Sequence, residues 1–93
     1  MLVNLTYEVF GKVQGVFFRK FTKDKAIELQ IVGWVKNTEY GSVTGIAQGA
    51  KEKINVFKKW IQYEGSPHSR IDTAKFKEEE IEILEFTKFE VRH

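Results

Sequence analysis

The order of periodic segments predicts an α+β fold. Three observations carry that prediction. An apolar alternation at Leu5, Tyr7 and Val9, with Thr6 and Glu8 on the other parity, reads as a strand. Two stretches carry apolar stripes at helical spacing: Phe18, Thr22, Ala26 and Leu29, and then Ala50, Ile54, Phe57 and Ile61. Between the two helices lie two β-prone runs joined by a turn containing Gly41.

Taken in order, residues 4–13 form the first strand and residues 18–30 the first helix. Residues 31–37 and 43–50 pair as a hairpin around Thr38-Glu39-Tyr40-Gly41-Ser42, with Tyr40 capping the turn. Gly45 and Gly49 share one face of the second hairpin strand, a sign that another element approaches closely there. The second helix ends near Glu64-Gly65, with Pro67, the one proline, just beyond. Residues 71–76 open a fourth strand. The charged run from Lys77 to Glu80 interrupts it as a bulge, a turn or a solvent-exposed edge, and Ile81 and Ile83 resume the alternation. After a turn over 84–88, Phe89 and Val91 make a short fifth strand. The order β, α, β, β, α, β is the ferredoxin-like arrangement: an antiparallel sheet with two helices on one face.

The segment joining the first strand to the first helix, Gly11-Lys12-Val13-Gln14-Gly15-Val16-Phe17-Phe18-Arg19, stands out chemically. A glycine at each end of a bend permits positive φ and close approach of a ligand to the main chain. Amides at such a bend, followed by a helix N-terminus, favour an anion. Arg19 adds a permanent charge and a planar fork suited to phosphate or carboxylate. No Gly-Lys-Ser/Thr follows the bend and the glycine spacing is not that of a dinucleotide loop, so neither nucleotide motif applies. On these residues alone a tight turn with a solvated arginine remains an equal reading.

Ninety-three residues make one domain, expected to span 1–93. Charged residues are 30% with a net charge of only +2, which is not the basic face of a nucleic-acid binder. The absence of cysteine excludes disulfides and thiolate zinc sites. Neither His68 nor His93 has metal-ligand spacing to an acid or to the other histidine, and both are expected at the surface. No apolar run is long enough to span a membrane and no leader is visible, so a cytoplasmic monomer without metal or cofactor is expected.

The motif Gly-Lys-Val-Gln-Gly-Val-Phe-Phe-Arg, with Thr22 three residues on, resembles the first signature of the acylphosphatases. Gly33-Trp34-Val35-Lys36-Asn37-Thr38, followed by Gly41, Val43, Gly45 and Gly49, resembles the second. Residues 65–72, Gly-Ser-Pro-His-Ser-Arg-Ile-Asp, are similar to the animal members, and Phe17-Phe18-Arg19-Lys20 is closest in wording to the common type. The resemblance covers the chain from about residue 5 onward. It implies the same ferredoxin-like fold and the hydrolysis of acyl phosphates to a carboxylate and inorganic phosphate, by water, with no metal and no covalent intermediate. It implies catalysis by Arg19 and Asn37, and a phosphate held on the backbone amides of Gly11, Lys12, Val13, Gln14, Gly15, Val16 and Phe17. The substrate classes it implies include 1,3-bisphosphoglycerate, carbamoyl phosphate and the acyl-phosphate intermediates of ion pumps.

The residue chemistry agrees with that implication. Phosphoryl transfer asks for positioning and charge stabilisation. Asn37 is neutral, accepts a hydrogen bond from water and adds no negative charge beside a phosphate. Asn is a poor base, so the leaving group must depart unaided, as a carboxylate with a conjugate-acid pKa of about 4 does. Thr38 either helps set Asn37 or is an ordinary turn threonine. Lys12 and Lys20 steer anions or are merely solvated. Trp34 and Trp60 are expected to pack in or beside the core. Ser66, His68 and Ser69 read as loop-shaping. Two other classes fit less well: an RNA-binding module, whose third strand would carry aromatic and basic residues absent from Val43–Gln48, and a non-catalytic phosphate binder, which would not need Asn37.

Overall fold

The computed structural model describes residues 1–93. Its elements are β1 (Leu2–Lys12), α1 (Phe18–Glu28), β2 (Val32–Asn37), β3 (Val43–Ala50), α2 (Lys51–Tyr63), β4 (Arg70–Ile81) and β5 (Phe89–Arg92). All five strands form one sheet in the order β4-β1-β3-β2-β5. The four long strands pair antiparallel, while β5 joins β2 in parallel. The sheet is therefore mixed only at that last edge. No helix is long and apolar enough to cross a membrane.

The alternation in β1 sends Val3, Leu5, Tyr7 and Val9 into the core. There they meet Phe18 and Ala26 of α1 and Ile54, Phe57 and Ile61 of α2. Tyr7 and Phe57 meet edge to face, with ring centroids 5.6 Å apart. The other parity faces away from the helices. On that outer face the Arg92 guanidinium lies 4.8 Å from the centre of the Trp34 ring, so Trp34 is half-buried outside the main core.

Gly45 explains how β1, β3 and β2 lock together. It is the β3 partner of both Tyr7 and Val35. A Cβ at Gly45 would collide with the Tyr7 hydroxyl and with the Trp34 carbonyl. The glycine lets the Tyr7 ring cross β3, and the hydroxyl donates to that carbonyl at 3.0 Å. Burial pushes the Tyr7 phenol well above its ordinary pKa, which keeps it a neutral donor.

Boundaries shift from the sequence reading: β1 runs from Leu2 to Lys12, β2 begins at Val32 and β4 at Arg70. α1 stops at Glu28, two residues early, because Gln30 takes a left-handed φ of 59°. The Gln30 N–H then donates to Ile27 O and the Ile31 N–H to Ala26 O, a Schellman stop built without glycine. β4 runs unbroken through Lys77-Glu78-Glu79-Glu80, so of the three readings of that run the exposed edge is the one observed. Ile83 does not resume the strand; it lies beyond β4 and is 74% exposed. The Tyr40 ring is likewise exposed and covers nothing in the hairpin.

Glu78 departs from its charged neighbours. Its side chain turns toward α2, where it accepts from Lys51 and lies 3.8 Å from Lys58. The Lys51 hydrogen bond holds its carboxyl below the usual range. A carboxylate with a depressed folded pKa stabilises the fold above its unfolded pKa, and the gain is lost as the pH falls through the folded value.

Gly45→Ala is expected to cost about 1–3 kcal/mol through overpacking against Tyr7 and β2, read as a lower urea midpoint with unchanged slope. Glu78→Gln is expected to lower stability at pH 7 by no more than about 1 kcal/mol. That difference should close as the pH drops below the ordinary carboxylate range, read by urea unfolding of both proteins across pH 7 to 3.

Candidate active site

The segment between β1 and α1 is held at both ends. Gly11, at φ 135°, sits where the β1–β4 register shifts, and a Cβ there would strike the Arg70 carbonyl. Gly15 has φ 74° with open space around it, and Phe17 has φ 59°. Gly15 takes such a φ without penalty, whereas at Phe17 it costs about 1–2 kcal/mol. Strain of this kind is characteristic of ligand sites. Val13 and Val16 are buried and pin the loop, while Gly15 and Phe17 face outward.

The amides of this loop are unspent. No turn, loop or side-chain hydrogen bond uses an N–H of residues 13–17. The first turn of α1 adds further N–H groups without helical acceptors, contains no acidic residue, and has no side-chain cap. The cluster is a positively polarised concavity, an arrangement that favours an anion.

Arg19 and Asn37 line the same cleft of about 450 Å³ with Val13, Gly15 and Phe17. β2 brings Asn37 there. Its Cα partner is Val43, which shares the core face with Tyr7 and Val9, so Asn37 falls on the helix side of the sheet. The Asn37 Oδ1 is buried and has no hydrogen-bond partner in the protein. A buried acceptor left free costs about 1–3 kcal/mol unless a water or ligand donates to it. Arg19 reaches the far edge of the sheet: its Nη1 donates to the Arg92 carbonyl at 3.1 Å and lies 3.2 Å from His93 Nδ1.

Gln14 ties the two halves together. Its Nε2 donates to the carbonyls of Thr38 and Ser42, both at 2.9 Å, and so fastens the loop to the turn that follows Asn37. Thr38 works inside that turn. Its Oγ1 is 2.6 Å from Ser42 Oγ and accepts from the N–H groups of Tyr40 and Ser42. Ser42 in turn donates to Glu8 of β1 at 2.6 Å. Thr38 makes no bond to Asn37 and sets it only through the shape of the turn.

Of the sequence candidates, Val13, Gly15, Phe17, Arg19 and Asn37 therefore share one cleft, and Lys20 borders it, paired with Asp24 at 3.0 Å. Lys12 is exposed at the end of β1 and lies outside it. His68 and Pro67 are exposed in the loop after α2, with Ser66 buried beneath them, away from the cleft. Sequence reasoning missed Lys23, one helical turn after Arg19, and Val91 of β5, which both line the cleft. The helical spacing from Arg19 was a usable signal for Lys23. Nothing local marks Val91, because its place depends on the parallel pairing of β5 with β2.

Comparison with known proteins gives a consistent picture. The family model described as Acylphosphatase matches residues 5–91. Acylphosphatase-2 of Gallus gallus is 52% identical, over 99% of this chain and 90% of its own length. Acylphosphatase-2 of Homo sapiens is 50% identical, over 99% and 94%. Among solved structures, an acylphosphatase from Coxiella burnetii superposes with a TM-score of 0.89 at 37% identity, covering 98% of this chain and 93% of that one.

Gln14→Leu is expected to leave the Thr38 carbonyl without its donor, while Ser42 O keeps the Thr38 N–H, and to cost about 1–3 kcal/mol in urea unfolding. Faster amide exchange at Tyr40 and Ser42, measured by NMR, should accompany the loss.

Proposed function

The chain belongs to the acylphosphatase family, and from that premise we propose that the loop amides of residues 11–17 with Arg19 hold the phosphoryl group while Asn37 positions the attacking water. The enzyme hydrolyses acyl phosphates. The observation that carries the assignment of roles is the unpartnered Asn37 Oδ1, which shares a cleft with Arg19 and the free-amide loop.

The steps follow from charge and position. The phosphoryl oxygens sit on the loop N–H groups and the N-terminus of α1. The Arg19 fork spans two of them, and its charge grows in value as charge spreads over the oxygens in the transition state. A water donates to Asn37 Oδ1 and lies in line with the scissile bond. Its oxygen forms the new bond to phosphorus as the bond from phosphorus to the acyl oxygen breaks. The electron pair leaves with the carboxylate, and the water's proton passes to a phosphoryl oxygen. No strong base is needed because the carboxylate is a good leaving group. Residues 1–93 act as one domain and as a monomer in a cytoplasmic setting. The openness of the cleft beside Phe17 suits several acyl groups, the carboxyl-phosphate classes named above among them.

Benzoyl phosphate hydrolysis with EDTA present tests the division of labour. Asn37→Ala is expected to lower kcat by about 10²-fold or more and to leave competitive inhibition by inorganic phosphate within a few-fold. Arg19→Lys is expected to weaken that inhibition and turnover together, since an ammonium cannot replace the fork. Equal loss of phosphate inhibition and turnover in a folded Asn37→Ala variant would make Asn37 a scaffold residue.

A further inference from the structure

The cleft is more cationic than one phosphoryl group requires. Arg19, Lys20 and Lys23 all line it, and no carboxylate does. Lys20 is already engaged by Asp24, and Lys25, further along α1, by Glu28. Lys23 has no carboxylate within ion-pair distance, although it is only partly exposed. It follows Arg19 at i,i+4, so the two cations stand on one face of α1, one turn apart. That spacing is repulsive, and Arg19, in the first turn, also stands at the helix end that disfavours positive charge. No carboxylate lies within ion-pair distance of either cation. Arg19 has its proposed anion in the reacting phosphoryl group; Lys23 has none.

We propose that Lys23 is a specificity residue that receives a second anionic group, a carboxylate or a phosphate, carried on the acyl portion of the substrate. The inference rests on the acyl-phosphate reading of the site and extends it to the leaving group. With the phosphoryl group on the loop and Arg19, a short acyl chain leads out past Phe17 and along α1. An anion on its end reaches Lys23, which as a flexible point charge accepts either group without fixed geometry. Substrates that carry such a group are held at both ends, while those with an apolar acyl group meet only the loop and Arg19.

Succinyl phosphate and butyryl phosphate have acyl chains of equal length and differ in the terminal carboxylate. Their kcat/KM ratio is the readout, measured in EDTA for the wild type, Lys23→Gln and Lys23→Arg, with Lys77→Gln as a control of equal charge on the outer face of the sheet. The expected result is a ratio about 5-fold lower in Lys23→Gln, restored in Lys23→Arg and unchanged in Lys77→Gln. Raised salt should lower the wild-type ratio toward that of Lys23→Gln. Inhibition by propylphosphonate, 3-phosphonopropionate and propane-1,3-bisphosphonate reads binding apart from turnover and shows whether carboxylate or phosphate is preferred. The advantage of either inhibitor that carries a second anionic group should shrink in Lys23→Gln. A ratio that Lys23→Gln leaves unchanged, with butyryl phosphate still hydrolysed, overturns the role of Lys23 alone. A wild type that hydrolyses neither substrate overturns the reading of the site on which it rests.

Discussion

The paired hydrogen bonds from Gln14 Nε2 to the carbonyls of Thr38 and Ser42 are the interaction on which the site depends. The loop after β1 and the turn after β2 belong to strands that are not neighbours, since β3 lies between them. Ladder bonds alone therefore do not fix the loop against Asn37. Deeper in the sheet, Tyr7 crosses Gly45 to reach the Trp34 carbonyl and bridges the same pair of strands. One tie lies at the rim and one in the core. Together they place the loop against Asn37, which in the proposed mechanism is held to a fraction of an ångström for in-line attack.

The second theme is charge left without a partner. The first turn of α1 offers free amides, has no acidic residue and begins from a strained Phe17. Arg19 and Lys23 add two cations at a repulsive spacing. The Phe17 backbone and the paired cations each cost stability, and an anion on the amides and Arg19 would offset the charge part of that cost. Asn37 Oδ1 is the complementary case, a buried acceptor that needs a donor. Several of these costs meet at this cleft, whereas Lys51, Lys58 and Glu78, or Arg70 and Asp72, form ion pairs elsewhere on the molecule. Local disagreement of this kind, gathered at one cleft, supports the reading of that cleft as the ligand site.

Much of this was legible in the sequence, for physical reasons. Period-two alternation in β1 and the stripes of both helices are direct consequences of burial on one face, so the element order and the core emerged correctly. Gly11 and Gly15 marked positive φ, and Gly45 marked close approach. The features that escaped depend on tertiary context. Gln30 closes α1 in a conformation normally given to glycine, so composition pointed to a longer helix. The run from Lys77 to Glu80 left a bulge, a turn and an exposed edge open, and only the place of β4 at the sheet edge, with one side facing water, selects the last. The parallel docking of β5 on β2 and the contact of Arg19 with Arg92 and His93, the latter more than seventy positions apart, leave no local trace. The side chain of Gln14 was invisible as a tie because its acceptors are backbone carbonyls, which any sequence supplies.

Backbone amide shifts during titration with inorganic phosphate test the central claim most directly. If the loop is the phosphoryl cradle, amide resonances of residues 11–17 and of the first turn of α1 move together and saturate with one affinity, and that affinity matches the constant for phosphate as a competitive inhibitor. Saturable shifts centred elsewhere, such as the loop from Gly65 to Arg70, or shifts that never saturate, would contradict the account.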